Sequence, residues 1–262
     1  MLTETNTLNI MKQLAVSAGK KIKEVYDNEE LFAQVEYKTD HSPLTKADKL
    51  ANEIIVKGLR EAFPNYSILS EEEKDNLDRL RNDYCFIVDP LDGTKEFIKR
   101  NGQFTVNIAL AYKHRSIIGV IYVPVTGELY YAEKGKGSFL ETPDGRIRKL
   151  GVSSITDLNK VRLVMSSSHG CEEMEALIQK YHFTNFVKMG SSLKGCLVAS
   201  GDAEIYYRHN PTMEWDTAAM QCIAEEAGAI FKQMDDTEML YNRENSLNDK
   251  GFYIINHPAN RI

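Results

Sequence analysis

An α+β fold is what this sequence predicts, on three observations. Two long stretches carry apolar residues at helical spacing, a central block of short β-rich runs is punctuated by Gly, Pro and Asn, and strand and helix patterns alternate from Val161 onward. The chain has 262 residues, enough for one large domain or two small ones sharing an interface. The first helix is read from Leu8, Met11, Ala15, Ala18, Ile22 and Val25, which recur every three or four residues and so share one buried face. The second runs through Ala47, Leu50, Ala51, Ile54, Ile55, Leu59 and Ala62, starting near Thr45 and stopping before Pro64. Thr45 and Asp48 fit a capping box there, a structural role by default. Strands are expected over 84–88, 105–112, 117–123, 128–132 and 138–141, with short links that favour antiparallel neighbours.

Beyond the polar stretch 151–160 the expected order is strand 162–165, helix 172–181, strand 186–188, helix 193–199, strand 204–207, helix 215–227 and strand 229–232, which implies layered packing. Residues 1–150 are thus expected to form an α+β unit and 151–262 an α/β unit.

Composition narrows the function classes. The chain carries 32 basic and 38 acidic side chains, a net charge of −6, with 42% hydrophobic and 27% charged residues; disorder and collagen-like repeats are excluded. A net acidic chain lacks the basic stripe that a nucleic-acid polymer needs as a partner, so any anionic ligand must be held locally. No apolar run approaches the ~20 residues of a membrane span, and no signal peptide is legible. A cytoplasmic protein is expected, with peripheral membrane association and oligomeric state left open. Cys85, Cys171, Cys196 and Cys222 sit far apart without a CxxC pair, as expected of buried thiols rather than a zinc or disulfide framework.

The chemistry concentrates in acidic segments. Asp89-Pro90-Leu91-Asp92-Gly93-Thr94 follows the apolar run Cys85-Phe86-Ile87-Val88 and places two carboxylates where the chain leaves a sheet. Thr94 can open a short helix whose free N–H groups receive a phosphate, and carboxylates beside an anion require a hard cation such as Mg²⁺. Asp-Pro and Asp-Gly are also simple turn residues. Glu71, in Ser70-Glu71-Glu72-Glu73, is a further carboxylate or part of a solvated charge run, and Asp216, in Trp215-Asp216-Thr217-Ala218-Ala219, is a ligand or a complement to a helix dipole.

Taken together and in this order, Leu69-Ser70-Glu71-Glu72, the Asp89 to Thr94 segment and Trp215-Asp216-Thr217-Ala218-Ala219 resemble the inositol monophosphatase superfamily of Mg²⁺-dependent, lithium-sensitive phosphatases. The resemblance runs nearly end to end and implies a layered αβαβα sandwich. Lys95-Glu96-Phe97, the run from Asn101 to Asn107, Ser166-Ser167-Ser168-His169, Gly190-Ser191-Ser192-Leu193-Lys194 and the Arg208 to Pro211 stretch are similar to the CysQ branch, the 3'(2'),5'-bisphosphate nucleotidases. Gly195 departs locally, standing where relatives often place an aromatic residue.

The resemblance implies one Mg²⁺ held by Glu71, Asp89 and the carbonyl of Leu91, and a second held by Asp89, Asp92 and Asp216. It implies that Asp48 and Thr94, with Glu71, are catalytic, and that Gly93 and Thr94 receive the scissile phosphate. His169, Ser191, Ser192, Lys194 and Arg208 are the implied contacts to the rest of the substrate, with Glu71, Leu91, Asp92 and Asp216 also against it. The implied reaction removes the 3'-phosphate of 3'-phosphoadenosine 5'-phosphate, giving AMP and phosphate and supporting sulfur assimilation. The alternatives are an inositol or sugar monophosphatase of the same superfamily and a catalytically silent nucleotide-binding relative.

Overall fold

The computed structural model describes residues 4–33, 35–37, 43–167, 170 and 172–262. Its elements begin with α1 (Glu4–Asp27), α2 (Glu29–Phe32), β1 (Val35–Tyr37), β2 (Pro43–Thr45), α3 (Lys46–Ala62), β3 (Ser67–Ser70), β4 (Tyr84–Asp92) and α4 (Thr94–Ile98). Then come β5 (Thr105–Tyr112), β6 (Arg115–Tyr122), β7 (Leu129–Glu133), β8 (Gly137–Glu141), β9 (Ile147–Lys149), β10 (Leu163–Ser166), α5 (Glu172–Tyr181), β11 (Phe186–Met189) and α6 (Leu193–Ala199). The chain ends with β12 (Ile205–Arg208), β13 (Thr212–Met213), α7 (Glu214–Glu226), β14 (Ile230–Gln233), β15 (Leu247–Asn248) and β16 (Phe252–Ile255).

Two sheets alternate with three helical layers, as expected of an αβαβα sandwich. The seven-stranded sheet runs in sequence order from β3 to β9, and the five-stranded sheet has the order β11-β10-β12-β16-β14. In the first, only β3 and β4 pair in parallel. Side-chain alternation along its strands feeds two cores at once. Phe86, Val88, Val106, Ile108, Leu110, Ile118 and Val120 face Met11, Ala15, Ile22, Ile55 and Leu59 of α1 and α3, whereas Cys85, Ile87, Ala109, Ala111 and Ile121 face α7. The α7 face is built of small residues, which lets the helix approach closely. A Cβ on Gly119 would lie 2.4 Å from the Ala219 carbonyl oxygen, so no larger residue fits there.

On its other side α7 shares its core with α6 and with Val164, Tyr206, Phe252 and Ile254 of the five-stranded sheet. The far face of that sheet is closed by Met174 of α5 against Leu163, Ile205, Tyr207, Tyr253 and Ile255. Sequence reading left residues 252–255 unassigned, yet β16 lies antiparallel between β12 and β14. Cys85, Cys196 and Cys222 are buried free thiols; Cys171 lies outside the described residues. Among the described residues no helix is long and apolar enough to cross a membrane.

One ion pair with a buried carboxylate ties the residue before β12 to the residue before β10. Glu204, fully buried, accepts the N–H (2.6 Å) and guanidinium of Arg162 and the hydroxyl of Ser153 at 2.7 Å. Burial pushes its carboxyl up, but these donors and the Arg162 charge outweigh burial and hold it below the usual glutamate value. A lowered folded pKa adds stability above the unfolded value of about 4.3, and that stability is lost as pH falls through the folded value. Glu204→Gln should therefore cost about 1–3 kcal/mol at pH 7 and progressively less below pH ~4. Urea denaturation across that range checks it; a pH-independent difference would reject the linkage.

Candidate metal centre and substrate cleft

Three chain segments converge to make the site. β3 ends beside β4 in parallel, and the N–H of Glu71 extends the ladder by donating to the Val88 carbonyl at 3.1 Å. Glu71 and Asp89 thereby sit with their carboxyl groups in hydrogen-bond contact. Asp89 and Asp92 are three residues apart, a spacing that would put them on opposite faces of a regular strand. A bulge between them, where Asp89 pairs with Asn107 and Asp92 with Thr105, turns both toward one side. Pro90 suits a bulge because its missing N–H is not required by a ladder. Asp89 also accepts the Leu91 N–H at 3.0 Å, which fixes its side chain.

The third segment is the start of α7. Asp216 accepts the Met213 N–H at 2.7 Å, holding the carboxylate at the helix N-terminus. Glu214, fully buried, anchors the same turn by accepting the N–H groups of Asn242 (2.6 Å) and Arg243 (3.0 Å). Asn242 in turn accepts from Arg79 at 2.9 Å. The loop that follows Glu71 is thus braced against the turn that carries Asp216.

Carboxylate oxygens of Asp89, Asp92 and Asp216 come within 4.8 Å of one another. Burial, then the charges of Glu71, Asp92 and Asp216, push the Asp89 carboxyl far up. Burial and Asp92 push Asp216 up to about 8. Hard oxygen donors this crowded and this poorly solvated are what a divalent cation requires, and its charge would relieve their repulsion. The donor set therefore fits a hard metal ion.

Asp92 is the best-anchored member. Its Oδ2 accepts from the Ser191 hydroxyl (2.6 Å), the Ser192 N–H and hydroxyl (both 2.7 Å) and Asn107 Nδ2 (3.2 Å). Thr105 reaches both Ser191 and Asn107. Ser191 and Ser192, expected against the substrate, line the cleft and also orient this carboxylate. Thr105 and Asn107 were given no role from the sequence; their signal is two polar residues at the start of a strand otherwise wholly apolar up to Tyr112.

Asp48 keeps the capping role and gains a second neighbour. Its Oδ2 accepts the Thr45 N–H at 2.7 Å and the Thr45 hydroxyl, while Oδ1 lies 3.3 Å from Thr94 Oγ1. Burial, then the nearby Glu72 and Glu71, push Asp48 up to about 7 against the lowering bonds from Thr45. Thr94 Oγ1 also lies 3.3 Å from the Leu91 carbonyl. Gly93, with φ of 91°, adopts the left-handed conformation that lets β4 turn directly into α4.

A cleft of about 430 Å³ opens from this cluster, lined by Glu71, Asp92 and Asp216 and also by Lys194 and Arg208. Lys194 is only 7% exposed; its Nζ donates to the Ser191 carbonyl at 2.6 Å. Burial pushes it down to about 8, opposed by Asp92. Such burial excludes the reading of Lys194 as an ordinary surface charge. Tyr206, Met220 and Phe252 also line the cleft, and sequence reading missed all three. Met220 alone had a signal, lying one helical turn beyond Asp216. His169 and Ser168 lie outside the described residues.

A layered αβαβα sandwich with a carboxylate cluster at the end of β4 defines a phosphatase-type scaffold. Residues 4–258 match the inositol monophosphatase family, and the chain belongs to that family. It is 41% identical over 245 residues to the 3'(2'),5'-bisphosphate nucleotidase CysQ of Salmonella typhimurium, covering 92% of this chain and 96% of that one. The Escherichia coli K12 protein of the same name is 40% identical over 243 residues, with the same coverage. The crystal structure of CysQ from Bacteroides thetaiotaomicron superposes with a TM-score of 0.84 at 39% identity, covering 98% of this chain and all of that one.

Proposed function

We propose that this protein is a Mg²⁺-dependent 3'(2'),5'-bisphosphate nucleotidase that removes the 3'-phosphate of 3'-phosphoadenosine 5'-phosphate, acts in the cytoplasm and supports sulfur assimilation. The observation that carries this reading is the cleft that joins the acidic cluster to the buried cation Lys194 and to Arg208. A phosphomonoester alone needs only the first; a second anion on the same molecule explains burying a lysine in the same cleft. The nucleotidase relatives named above share this chemistry by name.

Glu71, Asp89, Asp92, Asp216 and the Leu91 carbonyl would hold Mg²⁺. Bound there, the metal supplies stabilisation of charge on the phosphoryl oxygens and acidifies a water. The chain's own residues complete the reaction. Thr45 occupies Asp48 Oδ2, leaving Oδ1 directed at Thr94 Oγ1. Thr94 orients the attacking water by accepting its proton while passing its own to Asp48, a carboxylate whose raised pKa suits a general base near neutrality. The bond from phosphorus to the 3'-oxygen breaks as that to the water oxygen forms, and the leaving oxygen takes up a proton. Lys194 and Arg208 bind the 5'-phosphate and so keep the 3'-ester over the acidic cluster.

Phosphate release from the bisphosphate and from inositol 1-phosphate, each with Mg²⁺, tests the reading. A preference for inositol 1-phosphate would reject it. Lys194→Ala and Arg208→Ala should each lower kcat/KM for the bisphosphate about ten-fold to a hundred-fold, the worth of a charge-assisted bond to phosphate. Inositol 1-phosphate has no second anion and should change much less, so equal losses on both substrates would exclude these residues as contacts to the second phosphate.

A further inference from the structure

We propose that Gly195 and Met220 act as a pair that sets the preference of the cleft for a substrate carrying a flat aromatic group; this rests on the nucleotidase reading and deepens it. Gly195 lies in α6 and does not itself line the cleft. A Cβ built on it would lie 2.2 Å from Met220 Cγ, 2.4 Å from Met220 Sδ and 3.1 Å from Ile254 Cδ1. The Met220 thioether therefore occupies the space that any side chain at 195 would claim. Met220, only 3% exposed, lines the cleft with Tyr206 and Phe252, whose rings meet edge to face at 5.5 Å between centroids.

These three side chains form an apolar wall in a cleft that is otherwise lined mostly by charged and hydroxyl side chains. The wall adjoins the cation, since Lys194 Nζ lies 5.7 Å from the centre of the Tyr206 ring. A molecule that places a phosphate ester at the acidic cluster and a second anion at Lys194 thus brings the rest of its body against sulfur and aromatic carbon. Thioether sulfur packs favourably on aromatic rings, as a nucleobase would present. A cyclitol presents hydroxyl groups, and burying them unpaired against this wall is unfavourable. The absence of a side chain at 195 holds Met220 back in the wall, leaving width for a planar ring.

The test compares kcat/KM for 3'-phosphoadenosine 5'-phosphate with that for inositol 1-phosphate, and the ratio is the readout. Gly195→Ala displaces Met220 toward the cleft and should lower the ratio about ten-fold, mainly through KM, as overpacking of this kind implies. Met220→Ala removes the sulfur and should lower the ratio only about two-fold to three-fold. The double variant Gly195→Ala, Met220→Ala relieves the clash and should return to the Met220→Ala value. Should Gly195→Ala fail to fold, Met220→Ala alone still decides, because it only removes atoms. Parallel losses on both substrates, or a double variant no better than Gly195→Ala, would overturn the pairing while the nucleotidase reading stands. A wild-type enzyme that ignores the bisphosphate would overturn both.

Discussion

Asp89→Asn should abolish turnover while raising the thermal stability of the metal-free protein. Asp89 is 1% exposed and meets the charges of Glu71, Asp92 and Asp216, so three like charges bear on it at the centre of the site. Asparagine keeps an oxygen for the Leu91 N–H and removes the charge. Losing a charged ligand forfeits several kcal/mol of transition-state stabilisation, about 10³-fold or more in kcat. Relief of repulsion worth ~1 kcal/mol raises Tm by about 2–4 °C in a protein of this size. Melting curves in EDTA and in excess Mg²⁺, alongside phosphate release, check both halves. Substantial residual activity at saturating Mg²⁺, or a lower Tm in EDTA, would contradict the assignment.

Asp48→Asn should lower kcat about 10²-fold to 10⁴-fold, the range of a general base, with the helix left capped. The amide oxygen can still accept the Thr45 N–H, so the fold survives the change. Thr45→Ala makes the converse separation. It removes the cap hydroxyl that donates to Asp48 and accepts the Ala47 N–H, costing about 1 kcal/mol of stability with a much smaller effect on kcat. If Asp48→Asn turned over normally, Asp48 would be a capping residue and nothing more.

Much of the fold was legible because it rests on short-range patterns. The α1 and α3 stripes, the alternating strands of the first sheet and the rhythm from Val161 onward are local periodicities, and each matches an observed element. β16 was not legible. Its four residues, Phe252 to Ile255, form an apolar run too short to distinguish from any buried segment, and its place between β12 and β14 depends on strands far earlier in the chain.

By itself the sequence determined the chemistry available: which segments carry carboxylates, which turn follows β4, and which helix carries Asp216 in its first turn. Residue identity and spacing are enough for that. Only the tertiary structure decided how those groups act. The bulge at Pro90 and Leu91 brings Asp89 and Asp92 to one side, against the alternation that a spacing of three implies. Burial of α6 makes Lys194 a cleft cation instead of a surface charge. Packing of α7 over Gly195 seats Met220 in the wall. In each case the deciding quantity is desolvation or contact between segments far apart in the chain, and neither is a property of a residue's near neighbours.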